Sequence, residues 1–517
     1  STLQVSASSE DTNYAYGIAG SGGVVSAPFS QASTSNTSQT YATTGSGNND
    51  AADARKIDVD TLLVQAEHTA NFNSLIESTN ASLVGVSGAQ VSNTVVANTQ
   101  AHIGTSGYVE ADNITLQADN DINKSTPATL AGLTNLAGGA LAAPSWNVSS
   151  TSGGLADLPA AGSTTKLAVK AAVGIGAGAH VEQTGDSSDP GNFTLDAWND
   201  VNATDSVKLS SGGAITSAIA SSAIVPVDGQ DSASASVSVG ALADLSSLGD
   251  IAMGARSTAV LDAEAAVDIY GLVGVAPFGS SVATFQSSNQ VTIGAGATLD
   301  AGRDIILNAG ANSSNITNVI QVTAHSDVYN NTAIPVEQDP VADATIRNTS
   351  QIGIESGADL GAARDIYLYA QDGSNVATGV GIGKDIYRET LAAIASAISE
   401  AFGGDPVSFE TRTGNSVKSL SSNVDVEGTV HTGTQRYQEL TIGDDGVGVT
   451  VKGTITSQIT DMLDVASDIQ KRITYLQTLV EQYSTTSSDT TSDSAIAVAA
   501  YKSEIDFLKQ KLKDLGF

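Results

Sequence analysis

The amino-acid sequence predicts a mainly-β protein, a parallel β-solenoid with a small inserted helix and a helical carboxyl end. Three observations lead to this prediction. A short strand–corner–strand pattern recurs along the chain, its apolar residues fall at every second position, and large side chains are scarce. Period-two alternation is typical of a short strand with one buried face. Repeated units of this kind bury their apolar faces against their neighbours, which is how solenoids are stabilised.

The recurring pattern is clearest in residues 291–309, VTIGAGATLDAGRDIILNA. Related copies occupy residues 102–118 and 351–370, and looser copies occupy 175–197 and 55–66. A full copy opens with Ile-Gly, bends at small residues, turns a polar corner and closes with apolar–x–apolar–x–Ala. The closing residues are Ala66, Ala118, Ala197, Ala309 and Ala370, at spacings of 52, 79, 112 and 61 residues. The uneven spacing predicts further coils with degraded patterns between the clear ones.

Composition favours one long solenoid over several compact domains. The chain of 517 residues has 5% aromatic and only 15% charged residues, against about 25% charged in typical globular proteins. A large globular core needs large side chains, whereas a stacked β core can be built from Val, Ile, Leu and Ala. The formal net charge of −33 disfavours nucleic-acid binding, which needs clustered Lys and Arg. Such a charge suits an extracellular surface, or one that takes up divalent cations.

The sequence also limits the compartment and the covalent chemistry. Cysteine is absent, which excludes disulfides, thiolate metal sites and cysteine nucleophiles. No stretch approaches the roughly 18 apolar residues that a membrane-spanning helix needs. Ser1 is not an initiator methionine, and no signal-peptide pattern follows it. We therefore expect a processed product or one piece of a longer polypeptide.

Three segments follow from the order of these patterns. Residues 1–54 are rich in Ser, Thr, Asn and Gly and are expected to form irregular amino-terminal coils of the solenoid. Residues 55–454 are expected to form the β-helix, with an amphipathic helix at 385–402 packed on the side or end of the stack. Residues 455–517 carry two helical apolar stripes and are expected to form an antiparallel helical hairpin. This hairpin would cover or connect the carboxyl end, whereas the amino end shows no clear cap over its open sheet edge.

The cassettes at 102–118, 293–309 and 352–370 resemble repeats of filamentous-haemagglutinin-like exoproteins, the giant adhesins of bacterial two-partner secretion systems. Residues 424–442 and 501–516 also resemble segments of very large members. The resemblance implies a right-handed parallel β-helix. With roughly 20–25 residues in each coil, the rod would have somewhat under about 20 coils and a length on the order of 80 Å. The secretion domain of that family is not visible in the sequence.

No residue in the sequence is singled out as catalytic or cofactor-binding. The histidines form no paired metal-binding motif, and neither a phosphate-binding loop nor a nucleophile elbow occurs. The 55 acidic residues are expected to cluster across coils, where structural Ca²⁺ would suit them, although the calcium-binding nonapeptide is absent. The histidines are His68, His102, His180, His325 and His431.

A β-helical polysaccharide lyase or glycosidase is the alternative from a different class. Such a site needs carboxylates together with Arg, Lys or aromatic residues in a groove. The candidate pieces are DNDIN at 119–123 and GDD at 443–445. Trp146 and Trp198 are the only tryptophans, too few to indicate a sugar-stacking platform.

The corner pairs Arg303–Asp304 and Arg364–Asp365 occupy equivalent repeat positions, which indicates a structural role. A corner Asp accepts hydrogen bonds from backbone amides, and an adjacent Arg pairs with it. The expected function is therefore non-enzymatic. The sequence predicts an extracellular structural or adhesive rod, a segment or protomer of a bacterial surface adhesin or filament able to associate end to end. Its expected partners are a second copy, the continuation of a longer chain, or a cell-surface polysaccharide.

Overall fold

The computed structural model describes residues 1–456 with short gaps, and only isolated positions beyond residue 456. The gaps are residues 47–55, 126–128, 135–139, 143–144, 186–190, 276, 337–339, 402, 404, 406–410, 433–439, 443–447 and 453. The chain divides into two compact units, Ser1–Ile455 and Thr456–Phe517. The predicted hairpin at 455–517 and the GDD segment at 443–445 lie outside the described residues.

Two large sheets and one helix make up the first unit. The strands of sheet A are β1 (Thr2–Ser26), β3 (Ile57–Gly85), β5 (Tyr108–Lys124), β8 (Val148–Asp157), β10 (His180–Gln183), β11 (Phe193–Thr216), β14 (Asp244–Ser247), β15 (Ile251–Gly274), β17 (Thr298–Ala301), β18 (Ile305–Ala309), β19 (Val319–Ile334), β21 (Asp359–Ala362), β22 (Ile366–Ala370), β23 (Ser374–Asp385), β24 (Thr411–Thr413), β26 (Thr429–Thr432), β27 (Leu440–Ile442) and β29 (Thr454–Thr456). The strands of sheet B are β2 (Phe29–Thr43), β4 (Gly88–Ile103), β9 (Ala160–Ile175), β12 (Ile219–Pro226), β13 (Ala233–Val239), β16 (Phe278–Ile293), β20 (Val341–Ile354), β25 (Asn415–Val426) and β28 (Gly448–Val451). The remaining elements are the antiparallel pair β6 (Thr129–Thr134) and β7 (Ala140–Ala142), and the helix α1 (Ile386–Ala401).

Parallel pairing in register between successive windings confirms the predicted parallel β-solenoid. We call each winding a rung. Equivalent positions on sheet A define eight rungs, at Val5, Val64, Leu116, Leu195, Met253, Leu307, Leu368 and Ile442. The smallest step, from Val64 to Leu116, is 52 residues, and the largest, from Leu116 to Leu195, is 79.

The expected coil length of roughly 20–25 residues is wrong, because one rung holds two to three times as many. The closing alanines lie on neighbouring rungs: Ala66 pairs with Ala118, and Ala118 pairs with Ala197. The long step from Ala197 to Ala309 contains one further rung, at Ala255. The uneven spacing therefore records different rung lengths, not degraded coils between the clear ones.

Long rungs change the proportions of the solenoid. Eight rungs at the ordinary interstrand distance are about 34 Å from first to last, in place of the expected length of about 80 Å. A strand such as β11, with 24 residues, spans about 80 Å when extended. The stack is thus wider than it is tall.

The recurring cassette forms only the narrow end of each rung. In residues 291–309 it comprises the end of β16, a four-residue turn, β17, a corner and β18. The third turn position has a left-handed backbone on five successive rungs. These residues are Ser106 (φ 52°), Gly178 (φ 63°), Leu242 (φ 59°), Gly296 (φ 68°) and Gly357 (φ 78°).

Close stacking of these turns accounts for the glycine of the Ile-Gly opening. The N–H of Ser106 donates to the carbonyl of Ala177 at 2.9 Å, and the N–H of Leu242 donates to that of Ala295 at 3.0 Å. A Cβ on Gly176 would lie 2.4 Å from the backbone nitrogen of Thr105 on the preceding rung. Only glycine allows the two backbones to approach this closely.

Long strands carry apolar and polar inward positions in alternating blocks. On β11, Leu195 lies in one apolar cluster, Val201 in a second and Leu209 in a third. Between these clusters the inward residues are Asn199 and Asp205, both fully buried. The interior is therefore divided into three apolar clusters by two polar seams.

Side chains from neighbouring rungs satisfy one another in the first polar seam. Asn120 Nδ2 donates to Asn199 Oδ1 at 2.8 Å, and Thr99 donates from the opposite sheet to Asn120 Oδ1 at 2.7 Å. Asn199 Nδ2 continues the chain to Ser257 Oγ at 3.3 Å. Because buried amides are stabilising only when hydrogen-bonded, these contacts require the rungs to stack in this one register.

The first rung is regular, although irregular coils were expected for residues 1–54. Its strands β1 and β2 pair with β3 and β4, and no strand pairs with their other edges within the described part of the chain. Polar residues replace apolar ones on its inward row: Asp11 lies above Ala70, and Asn13 lies above Phe72. The sequence analysis found no cap here, yet this rung has the polar outer row that is typical of a capping repeat.

Helix α1, Ile386–Ala401, confirms the amphipathic helix predicted at 385–402. Its apolar stripe does not pack on the stack as expected. Leu391, Ile394 and Ile398 are 38%, 53% and 57% exposed. Tyr329 on β19 donates a hydrogen bond to Glu389 at 3.0 Å, which fixes the first turn of the helix to sheet A.

Replacing Leu242 by glycine is expected to stabilise the solenoid by about 0.5–1 kcal/mol. A left-handed backbone costs a non-glycine residue roughly 1–2 kcal/mol, partly offset by the greater freedom of glycine in the unfolded chain. The Leu242 side chain is 72% exposed, so little packing is lost. Urea denaturation measures the change. The matched control Gly178→Ala, at the equivalent position, should lower stability by about 1 kcal/mol, and a lower midpoint for Leu242→Gly would contradict the expectation.

Candidate functional site

Acidic residues from neighbouring rungs meet on the outer face of sheet A. Glu67, Asp119 and Trp198 each follow a closing alanine, and the register places them one above another. Asp121 and Asp200 form a second row two residues further along. Since in-register neighbours on parallel strands are about 4.8 Å apart, the four carboxyl groups form one continuous group. We call these five residues the acidic patch.

Crowding within the acidic patch perturbs Asp119 most strongly. Partial burial, together with the charges of Asp200, Glu67 and Asp121, raises the pKa of Asp119 to about 7. The Trp198 side chain donates a hydrogen bond to the same carboxyl group, which opposes part of this shift. Asp119 is thus a carboxyl group that holds its proton near neutral pH.

The second row of the patch has more partners. Burial and the charge of Asp200 raise the pKa of Asp121, and the amide of Asn123 donates to Asp121 at 2.7 Å, which opposes the rise. Asp200 accepts a hydrogen bond from the hydroxyl of Thr258 and lies 3.8 Å from the guanidinium of Arg256. A protonated acid therefore lies beside stabilised carboxylates.

This arrangement has two chemical capacities. An acid with a pKa near 7 beside a carboxylate has the composition of a general acid and base pair. An indole ring beside hydrogen-bonding carboxylates also suits the apolar face and the hydroxyls of a sugar. Both capacities point to a polar, hydroxyl-rich ligand.

A second acidic group lies further along the same face. Burial raises the pKa values of Asp262 and Glu264, and the charge of His325 opposes both rises. His325 Nε2 lies 3.0 Å from Asp327 Oδ1. A shallow depression of about 350 Å³ is lined by Asp262, Glu264, Thr323, Ala324, His325, Val380 and Ile382.

Only part of the predicted carbohydrate-site material comes together. The DNDIN segment contributes Asp119 and Asp121 to the acidic patch, and Trp198 joins them from the next rung. Trp146 does not contribute: its ring lies under Lys208, with Nζ 5.7 Å from the ring centroid.

The Arg–Asp corners have the structural geometry that the sequence predicts. Asp304 Oδ1 accepts hydrogen bonds from the backbone N–H of Asp365 at 3.1 Å and from Arg364 Nε at 3.0 Å. One rung earlier, Asp250 accepts from the backbone N–H of Asp304 at 3.0 Å and lies 3.5 Å from Arg303. Each arginine pairs with the aspartate of the preceding rung and not with its sequence neighbour, so the corners connect rungs.

The histidines are distributed over both sheets and pair with single acids. His180 Nδ1 lies 3.0 Å from Asp244, and His431 lies 3.3 Å from Asp359. Burial lowers the pKa values of His68 and His102. Among the described residues, no group of three or more His, Asp or Glu side chains is arranged to hold a metal ion. Structural Ca²⁺ stays a prediction.

Glu67 and Asp200 were not singled out by the sequence analysis, although a signal for them was present. Glu67, Asp119 and Trp198 each stand directly after the closing alanine of a cassette. Aligning the cassettes on that alanine places these residues at one position of successive rungs. The expectation of intervening degraded coils prevented this alignment.

No protein-family model matches this chain, and no curated protein or solved structure matches it either. In the part of the chain that the structure describes, no helix is both long enough and apolar enough to cross a bilayer.

Asp119→Asn is expected to increase stability by about 1–3 kcal/mol near pH 8. The pKa of Asp119 rises from 3.8 to about 7 on folding, so the folded chain binds more protons than the unfolded chain between these values. The contribution of this carboxyl group to stability is therefore present below about pH 4 and is lost as the pH rises to about 7. Asparagine keeps the shape without the charge, so the gain should vanish near pH 4.

Urea denaturation near pH 4, 6 and 8 measures this difference. Asp58→Asn is the matched control, because Asp58 lies on the same face with its side chain 72% exposed. An equal effect of Asp119→Asn at all three pH values would show that the carboxyl group is not perturbed.

Proposed function

We propose that this chain is a non-enzymatic structural or adhesive β-solenoid, a segment or protomer of a bacterial surface adhesin or extracellular filament. The observation that supports the proposal best is the continuous register of eight rungs, in which most inward polar groups bond to the next rung. Such a stack resists local opening, since every rung is held on both sides. Resistance of this kind suits a stalk exposed to proteases and to mechanical load.

An extracellular, adhesive role draws support from the surface. A net charge of −33 with only 22 basic residues keeps such a chain dispersed in a salty medium. The acidic patch offers an indole and several hydrogen-bonding carboxylates to a polysaccharide. The resemblance of the cassettes to filamentous-haemagglutinin-like exoproteins agrees with this proposal.

End-to-end association is the assembly that the proposal includes. The open edges of β1 and β2 offer unpaired backbone groups to another strand. Asp11 opposes this pairing, because its carboxylate points along the inward row and would be buried by an added rung. Ser38 donates a hydrogen bond to Asp11, and His68 Nε2 lies 3.8 Å from it. The first rung would therefore limit association through charge.

Purified chain is expected to associate weakly at low salt and more strongly as salt rises, since the Debye length falls from about 30 Å at 0.01 M to about 3 Å at 1 M. Asp11→Asn should shift the association to roughly 10-fold lower concentration, because no charge is then buried at the junction. Sedimentation velocity measures the shift, and negative-stain electron microscopy measures particle height.

Glu10→Gln is the matched control, since Glu10 neighbours Asp11 on β1 but is exposed on the outward row. It removes the same charge without changing the junction. Single particles about 34 Å high at every concentration, salt and variant would contradict end-to-end association.

A polysaccharide-cleaving enzyme is the second candidate, favoured by the raised pKa of Asp119. Protonated Asp119 would donate a proton to the leaving glycosidic oxygen, and a neighbouring carboxylate of the patch would act as base or nucleophile. Trp198 would contact a sugar ring. This candidate needs turnover, which the structural proposal does not.

A reducing-end assay on a panel of bacterial surface polysaccharides separates the two candidates. The structural proposal expects binding without release of new reducing ends. Release that falls about 10³-fold in Asp119→Asn, and is unchanged in Asp58→Asn, would establish the enzyme instead. Binding that is weakened by Trp198→Ala without any turnover would place adhesion at the acidic patch.

A further inference from the structure

A lysine and an aspartate are fully buried together in the second polar seam. Lys124 ends β5, and Asp205 lies on β11 of the next rung. Lys124 Nζ is 3.0 Å from Asp205 Oδ1, and both side chains have 0% exposure. The other Lys–Asp pair at comparable distance, Lys166 and Asp228, is at the surface with exposures of 37% and 91%.

The surroundings treat the two groups unequally. Asp205 Oδ2 accepts a hydrogen bond from Thr165 at 2.8 Å, and Oδ1 accepts one from Ser163, both from sheet B. Lys124 Nζ has no hydrogen-bond partner of its own among the described residues. Its strand neighbour in the register is Phe72. The amine is thus directed at one carboxyl group in apolar surroundings.

Burial favours the neutral forms of both groups. Removing an ammonium and a carboxylate from water costs several kcal/mol each, and transfer of one proton between them eliminates both charges. Burial lowers the pKa of Lys124, although the charge of Asp205 opposes this. A neutral amine is a nucleophile, and a neutral carboxyl group is an electrophile. In water at neutral pH the same two groups would be charged and unreactive toward each other.

We propose that Lys124 and Asp205 become joined by an isopeptide bond, which forms within the folded chain without another protein. The lone pair of Nζ attacks Cγ of the protonated Asp205 and forms a C–N bond. The resulting tetrahedral centre loses one carboxyl oxygen as hydroxide, which leaves as water with a proton from the nitrogen. The products are one amide and one water molecule, and the step needs no oxidant, metal or cofactor.

The geometry supplies what this condensation needs. Fixing the two groups in contact replaces a bimolecular encounter, an effect worth about 7–11 kcal/mol in well-oriented cases. The hydroxyls of Ser163 and Thr165 donate to the carboxyl oxygens, where negative charge develops in the tetrahedral intermediate. The dry interior also removes bulk water that would favour the reverse hydrolysis.

Mass spectrometry of the denatured chain tests the proposal directly. The expected intact mass is lower than the sequence mass by one water molecule, and a digest should contain one branched peptide with both Lys124 and Asp205. Lys124→Met and Asp205→Ala should each have their full sequence mass. The surface pair Lys166–Asp228 is the internal control and should yield separate, unmodified peptides.

Time resolution distinguishes a reaction of the folded chain from an accident of preparation. Chain unfolded in urea before any cross-link forms should have full mass, and the loss of water should appear only after refolding. Ser163→Ala with Thr165→Val should slow that appearance by about 10-fold or more. Full sequence mass and separate peptides after prolonged incubation of the folded parent at neutral pH would overturn the proposal. This result is decided on the parent chain, so it does not depend on the folding of any variant.

Discussion

In-register parallel pairing between rungs is the constraint on which the rest of the molecule depends. Because side chains alternate between the two faces of a strand, a shift by one residue would exchange the core row with the solvent row. Exact stacking places each residue type over its counterpart, as with Ala66, Ala118 and Ala197. The turns obey the same rule, since Gly176 lies against the backbone of the preceding turn. The interior, the turns and the acidic patch are all consequences of one register.

The width of each rung explains the polar seams. A strand as long as β11 cannot bury a continuous apolar row without becoming insoluble as an unfolded chain, and its two seams interrupt that row. Buried polar groups are costly unless bonded, and in a stack the next rung always supplies the partner. Asn120 and Asn199 show this for the first seam. Lys124 and Asp205 are the one ionic pair that the described seams contain, which makes them the part of the interior with reactive chemistry.

Much of the fold could be predicted from sequence, because turns and corners carry local signals. Period-two alternation, the Ile-Gly turn and the Arg–Asp corner each depend on a few adjacent residues. Rung length could not be predicted, since it depends on where a strand finds its partner, as when Phe193 pairs with Ile114. The seams also conceal the long strands, because Asn199 and Asp205 interrupt the apolar alternation on β11. The acidic patch required a correct rung alignment, and only its separate pieces were recognised.

The number of residues in each rung has a consequence for how the chain reaches its native state. Every contact between rungs joins residues that are more than 50 positions apart, so the relative contact order is high and folding is slow. Closing a loop of about 60 residues in place of about 20 costs roughly 1 kcal/mol more in chain entropy for each added winding. The first docked pair of windings is therefore the kinetic bottleneck. Later windings add to an existing template, so ordered growth from one nucleus avoids misaligned intermediates.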